Sequence, residues 1–334
     1  MWHVASLRPR PAASSSPRVV RGAPSLPSPG RHRGASFAAN INFLLGRRAV
    51  QCRGLSLLQH RHLGQRGGPA GIVRYDVAQE IQEQHRSLFL SWKTSPDSPR
   101  RESESPRPLV ISFESTPTFT IGRRQHDLTT DQAAHLGQKL DVSLTHRQEP
   151  ILQSYYPDVR RTNRGGLTTY HGPGQLVLWP VVDMHSPLHA KFGVASYASH
   201  LEATTQRLLA ELFGIDTSMV RDEPGVWIGA SGHRPRKIAA LGVHHRRHVT
   251  SLGIAVNVDV AVTGCEDVNP WSRFVPCGLQ DKAVTSVAAE LGNAPSGSWD
   301  MARLAERWAS IFEEGLLNGK RDGAVEDADV RLQR

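Results

Sequence analysis

Arg164-Gly165-Gly166-Leu167-Thr168-Thr169-Tyr170-His171-Gly172-Pro173-Gly174-Gln175 is the stretch on which the reading of this chain turns. Four glycines and one proline fall within residues 164–174, so the backbone can turn sharply and approach a ligand where side chains would clash. Between them, Arg164 can hold an anion, Tyr170 can stack and His171 can exchange a proton. Downstream lie Lys237, in Arg236-Lys237-Ile238-Ala239-Ala240-Leu241-Gly242-Val243, and Cys277, in Phe274-Val275-Pro276-Cys277-Gly278-Leu279. A glycine-lined pocket, a potential base and a thiol nucleophile are the parts that acyl transfer needs.

Each residue also has a plainer reading. A lone cysteine is commonly buried and inert. Lys237, beside Arg234 and Arg236, reads by default as a solvated lysine. His171 could be hydrogen-bonded inside a tight strand–turn–strand, and Gly166 could serve backbone conformation alone. Pro276 stiffens the approach to Cys277, and Gly278 leaves the thiol accessible.

Charge is unevenly placed along the 334 residues. Residues 1–75 hold twelve Arg and no Lys, Asp or Glu, which leaves 28 basic and 31 acidic residues, a net of −3, for the remainder. The overall +9 therefore belongs to the first segment. Rich in Arg, Ser, Ala and Pro, residues 1–70 have the composition of a transit peptide, with 37–50 as a short amphipathic candidate; a mitochondrial matrix destination is expected. The alternative is a basic arm for nucleic acid, but no aromatic–basic platform accompanies it. No apolar run approaches the ~20 residues that a membrane span needs. Three cysteines, Cys52, Cys265 and Cys277, lack CxxC spacing and do not form a disulfide framework.

Residues 71–320 read as a single catalytic domain, followed by a polar tail at 321–334. A helical stripe at Val77, Ile81, Leu88, Phe89 and Trp92 predicts a helix over 75–92. The proline- and serine-rich 94–108 reads as a surface insertion, and 136–163 as polar and irregular. Strands are expected at 109–114, 118–122, 176–182 (Pro180 favouring an edge or a bulge), 225–228, 237–244 and 250–258. Helices are expected over 194–213, stopped by Gly214, and over 300–316 behind a Ser298 cap. Strands and helices interleaved without strict alternation give an α+β class, a mixed β-sheet flanked by helices. On a strand, His244, Arg246 and His248 would share one face; with no CxxC, HExxH or carboxylate cluster nearby, this reads as a basic face and no metal site is expected. Together with Arg160, Arg161, Arg234 and Arg236 it could dock an acidic carrier, or be simply solvated.

The three segments, with Val249-Thr250-Ser251, Asn257-Val258 and Val284-Thr285-Ser286, resemble the lipoyl(octanoyl) transferases, over roughly residues 62–289 with interruptions. The resemblance implies a biotin/lipoyl protein ligase-like catalytic fold. It also implies a ping-pong transfer of octanoyl from acyl carrier protein, through Cys277, to a lysine of lipoyl domains. Such domains belong to the glycine cleavage H protein and the acyltransferase subunits of 2-oxoacid dehydrogenases. No cofactor is required. Carried over residue by residue, Cys277 is the nucleophile and Lys237 its base or electrostatic partner. Substrate contacts fall on Arg164, Gly165, Gly166, Leu167, Thr168, Thr169, Tyr170, His171, Ala240, Leu241, Gly242, Gly253, Ile254 and Ala255. The chain departs from the family pattern at 94–108, 136–160 and 260–273. The rival readings are an ATP-dependent lipoate or biotin ligase and a non-catalytic acyl- or carrier-binding protein of the same fold.

Overall fold

A computed structural model describes residues 56–64, 71–95, 104–144, 151–220, 222–229, 234–274, 283–292 and 299–318. In chain order the strands are β1 (Gln59–Leu63), β2 (Ile72–Val73), β3 (Leu109–Ser115), β4 (Thr118–Ile121), β5 (Leu140–Leu144), β6 (Ile151–Tyr155), β7 (Asp158–Arg161), β8 (Thr168–His171), β9 (Gln175–Val181), β10 (Ser218–Val220), β11 (Glu223–Ile228), β12 (Arg236–Arg246), β13 (Val249–Asn257) and β14 (Ala283–Val284). The helices are α1 (Tyr75–Thr94), α2 (Thr130–Leu136), α3 (Val194–Phe213), α4 (Val287–Leu291) and α5 (Met301–Asn318).

The main sheet runs β1-β3-β9-β13-β12-β11-β10, with β2 on β3 and β14 on β12. Its β1–β3, β2–β3 and β12–β14 pairs are parallel and the others antiparallel, so the sheet is mixed. A small sheet, β7-β4-β8, and the hairpin β5–β6 pack beside it. Strand alternation sorts the core into two layers. On β9, Leu176 and Leu178 point toward α3 and α5, while Val177, Trp179 and Val181 point toward α1. A sheet covered on both faces is apolar on both, which is why 176–182 shows no polar alternation.

Helix α3 buries Tyr197, Leu201, Thr205, Leu208, Leu209 and Leu212, and Gly214 ends it at φ 64°, the left-handed cap that glycine adopts without strain. On α5, Leu304, Trp308, Ile311, Phe312 and Leu316 are buried, and the Trp308 indole donates to Thr205 at 2.9 Å. The Asp300 carboxylate accepts the Arg303 amide at 3.0 Å; Ser298, the expected cap, lies outside the described residues.

Several expectations are corrected. Among the described residues, β1 already lies inside the span read as leader (1–70), because its backbone finds parallel partners on β3. Helix α1 forms, but it buries Tyr75, Ala78, Gln82 and Phe89, leaving Val77 42% and Leu88 58% exposed. Tyr75 sets that face by packing edge-on against Trp179 and Phe113. Residues 136–163 hold β5, β6 and β7, anchored by buried Leu140 and Leu144. β9 is interior, and Pro180 lies beyond its last register pair with β13, Leu178 with Ile254, where the ladder has lapsed. The Thr250 hydroxyl donates to the Pro180 carbonyl there at 2.9 Å. His248 is not on a strand: Arg247 and His248, at φ 52° and 68°, form the two-residue turn between β12 and β13.

Burial holds His60, His171 and His200 down at a pKa of about 4, against 6.5 for the free side chain. His62 repels the His60 charge further. With folded values below unfolded ones, the unfolded chain takes up protons first as pH falls, so stability is full above about 6.5 and declines toward 4. Each buried histidine contributes a slope of at most about 1.4 kcal/mol per pH unit, and the partly solvated His60 less. The thermal midpoint is expected to be flat above pH 7 and to fall between pH 6.5 and 4. A midpoint unchanged at pH 4.5 would contradict this.

Candidate active site

The glycine block joins β8 to β9, and its geometry explains the glycines. Gly174 sits at φ 80°, its carbonyl accepts the amides of Val258 and Asp259, and its own amide donates to Glu114 at 2.8 Å. A Cβ there would stand 2.5 Å from the Asp259 carbonyl oxygen, so only glycine fits. Alternation along β8 then divides the motif. Thr169 and His171 face a cavity of about 560 Å³, whereas Tyr170 packs under the small sheet against Phe119 and Trp271.

Thirteen of the sixteen positions singled out from sequence come together: Arg164, Gly165, Gly166, Leu167, Thr169, His171, Lys237, Ala240, Leu241, Gly242, Gly253, Ile254 and Ala255 all line that one cavity.

 The remaining three are Thr168, Tyr170 and Cys277. Thr168 turns its hydroxyl to Gln125 at 3.4 Å, and Cys277 lies outside the described residues. The described chain ends at Phe274, packed on Phe119, and resumes at β14, whose Val284 is the register partner of Lys237.

Arg164, read from sequence as able to hold an anion, lines the cavity and also pins the loop. Its buried guanidinium donates to the Thr120 hydroxyl at 3.0 Å, to the Thr120 carbonyl at 2.5 Å and to the Gly165 carbonyl at 3.0 Å. Its stem fills the space beside Gly242, where a Cβ would come within 3.0 Å of Arg164 Cδ. Gly253 is the cross-strand partner of Gly242, and a Cβ on it would meet the Leu178 carbonyl oxygen at 2.2 Å. These two glycines let β9, β12 and β13 close around the cavity.

Lys237 is buried on β12, where a bulge interrupts the β11–β12 register between Val226 and Trp227. Its Nζ donates to the Pro224 carbonyl at 3.1 Å and stands 4.5 Å from the Trp227 ring centre. Glu202, from α3, accepts the Gly225 amide at 2.7 Å, and burial raises its pKa.

A relay of hydrogen bonds fixes the protonation of His171. The Asn257 amide nitrogen donates to the Thr285 carbonyl at 2.9 Å, so the Asn257 oxygen faces Gln175 and accepts from its amide nitrogen at 2.9 Å. That nitrogen also donates to the Tyr170 carbonyl at 3.2 Å. The Gln175 oxygen is thus left to accept from His171 Nδ1 at 2.8 Å. The tautomer follows: Nδ1 carries the proton and Nε2 keeps its lone pair. With its pKa held near 4 by burial, His171 is neutral at pH 7 and available as a base.

Tyr75 and Trp179, 5.1 Å apart edge to face, also line the cavity, as do Asp222, Glu223 and Pro224. The sequence reading passed over these residues, since no local pattern places a helix start above a strand a hundred residues away. The segment 260–273, read as a departure from the family, forms a wall behind Tyr170: Trp271 is buried there, and the Arg273 guanidinium donates to the carbonyls of Leu136, Gln138, Lys139 and Glu266. Cys265 is exposed. Among the described residues, no group of three His, Cys, Asp or Glu could hold a metal, and no helix is long and apolar enough to cross a membrane.

A family model described as the lipoyl protein ligase A/B catalytic domain matches residues 99–313. The chain is 34% identical over 242 residues to the mitochondrial octanoyl-acyl-carrier-protein:protein N-octanoyltransferase of Danio rerio, covering 72% of this chain and 89% of that one. It is also 34% identical to an octanoyltransferase of Mycobacterium leprae, covering 65% and 80%. Among solved structures, a lipoate-protein ligase A bound with ATP is similar at 15% identity and a TM-score of 0.45, covering 77% of this chain and 92% of that one.

Proposed function

The chain belongs to the lipoyl protein ligase A/B catalytic family, as an octanoyltransferase, and from that premise we propose a two-step acyl transfer through Cys277. The thiolate of Cys277 attacks the thioester carbonyl of octanoyl-acyl carrier protein, and the carrier thiolate leaves, taking up a proton. A lysine amine of a lipoyl domain then attacks the acyl-Cys277, forming the amide and expelling the thiolate. The proton released from the amine passes to a base, for which His171 Nε2 is suited. Lys237 stabilises the Cys277 thiolate. Thioester exchange is close to balanced in energy, so no nucleotide is consumed.

The observation that carries this reading is the cavity itself. Its apolar wall, with Trp179, Leu241, Leu252 and Ile254, adjoins the buried amine of Lys237. At about 0.8 kcal/mol per buried methylene, an octanoyl tail contributes roughly 5 kcal/mol of binding there. Acceptors are the lipoyl domains of the glycine cleavage H protein and of 2-oxoacid dehydrogenases. The Arg-rich first segment and the mitochondrial relatives in Danio rerio and Drosophila melanogaster support action in mitochondria, in the matrix.

Intact-mass spectrometry tests the mechanism. Mixed with octanoyl-acyl carrier protein and no ATP, the protein is expected to gain one octanoyl group that hydroxylamine or a lipoyl domain removes. Acylation that appears only with free octanoate and ATP would assign it to the ligases instead. No acylation in either mixture, with the fold intact, would favour a binding protein.

A further inference from the structure

Beside the acyl cavity lies a second cavity of about 380 Å³, lined by Arg123, Arg124, Asn163, Gly165, Val243, His244 and His245. The two share Arg124, Gly165 and Val243 as walls. Neighbouring arginines are neutralised: Arg86 by Glu83, Arg160 by Asp76 and Asp158, Arg161 by Asp127, and Arg236 by Glu290. Arg123 and Arg124 differ. Both side chains are exposed, and no carboxylate of the described residues pairs with either. Their backbone amides are tied down, donating to the carbonyls of Arg164 and Gly166, so the two cations are held at the rim by a rigid loop.

Resting on the octanoyltransferase reading, we propose that Arg123 and Arg124, with Asn163 and His245, bind the phosphodiester of the carrier's phosphopantetheine arm. Guanidinium groups suit this ligand because they contact phosphate oxygens in pairs. The reach is consistent. Phosphorus and thioester sulfur are separated by about a dozen bonds, roughly 15 Å when extended at the length per bond of a polypeptide backbone. Val243 and Lys237 stand six residues apart on β12, about 20 Å of strand, and the lysine side chain closes part of that distance. Anchored at the rim, the arm carries the thioester inward toward Lys237.

The test compares octanoyl-4′-phosphopantetheine with octanoyl-pantetheine as donors to a lipoyl domain, for the wild type and for Arg123→Ala and Arg123→Lys. The wild type is expected to show a KM about tenfold lower for the phosphorylated donor, in line with one lost charge-assisted phosphate contact. Arg123→Ala should erase that preference while leaving the pantetheine rate and kcat unchanged, and Arg123→Lys should restore part of it. Equal KM values in the wild type would overturn the site but leave the transferase reading standing. Equal losses on both donors in Arg123→Ala would overturn it as well, marking a structural role. No transfer from either thioester would overturn the transferase reading and the site together. Activity only with octanoate and ATP, weakened by Arg123→Ala, would assign the arginines to nucleotide phosphates.

Discussion

Replacing Cys277 with alanine is expected to abolish the octanoyl-enzyme and to lower transfer about a thousandfold or more. Both half-reactions pass through this sulfur in the proposed scheme. Without it, the incoming lysine would have to meet the carrier thioester directly, and the gain from dividing one difficult step into two is lost. The measurement is the hydroxylamine-sensitive mass increment together with the steady-state rate. The fold should persist, because Cys277 is a small side chain in the Pro-Cys-Gly segment. An adduct that survives the substitution would move the nucleophile elsewhere, with the exposed Cys265 as the first residue to check.

Lys237→Met is expected to lower kcat by about a hundredfold or more while the thermal midpoint holds. Methionine keeps the apolar stem between Trp227 and Gly225, and replacing a buried charge by an apolar group of similar volume is often close to neutral for stability. In the proposed scheme, what disappears is the group that favours the thiolate. The pH profile of thiol alkylation should therefore shift upward, with little change in donor KM. Lys237→Arg should not rescue, since the planar guanidinium cannot follow the ammonium into the space beside Pro224. An unaltered alkylation profile would remove Lys237 from the thiol's surroundings.

How much of this was legible in the sequence depended on how local the cause was. Helix α3 shows itself because a 3.6-residue stripe and Gly214 lie in one window. The glycine block shows itself because several strained or crowded positions fall together. The face of α1 was misread because Val77 and Leu88 match the period, yet Tyr75 docks on Trp179 and turns the helix. Strands β5, β6 and β7 were missed because they are five residues or shorter, too short for a period to stand out. The hold of Arg164 on the loop leaves no local trace for a similar reason: its acceptor Thr120 lies 44 positions away. Gln175 and Asn257 both stood in quoted segments, but their hydrogen bond spans 82 positions and leaves no trace in either.

That bond makes the site an interlock. The lone pair on His171 is aimed by Gln175, Gln175 by Asn257, and Asn257 by the carbonyl of Thr285, which follows the thiol segment in the chain. A chain ending before Thr285 has every named residue of the glycine block and of β12, yet loses the acceptor that orients Asn257 and keeps only the Tyr170 carbonyl to orient Gln175. In the proposed scheme, the aim of the His171 base thus depends on a segment that follows Cys277 in the chain.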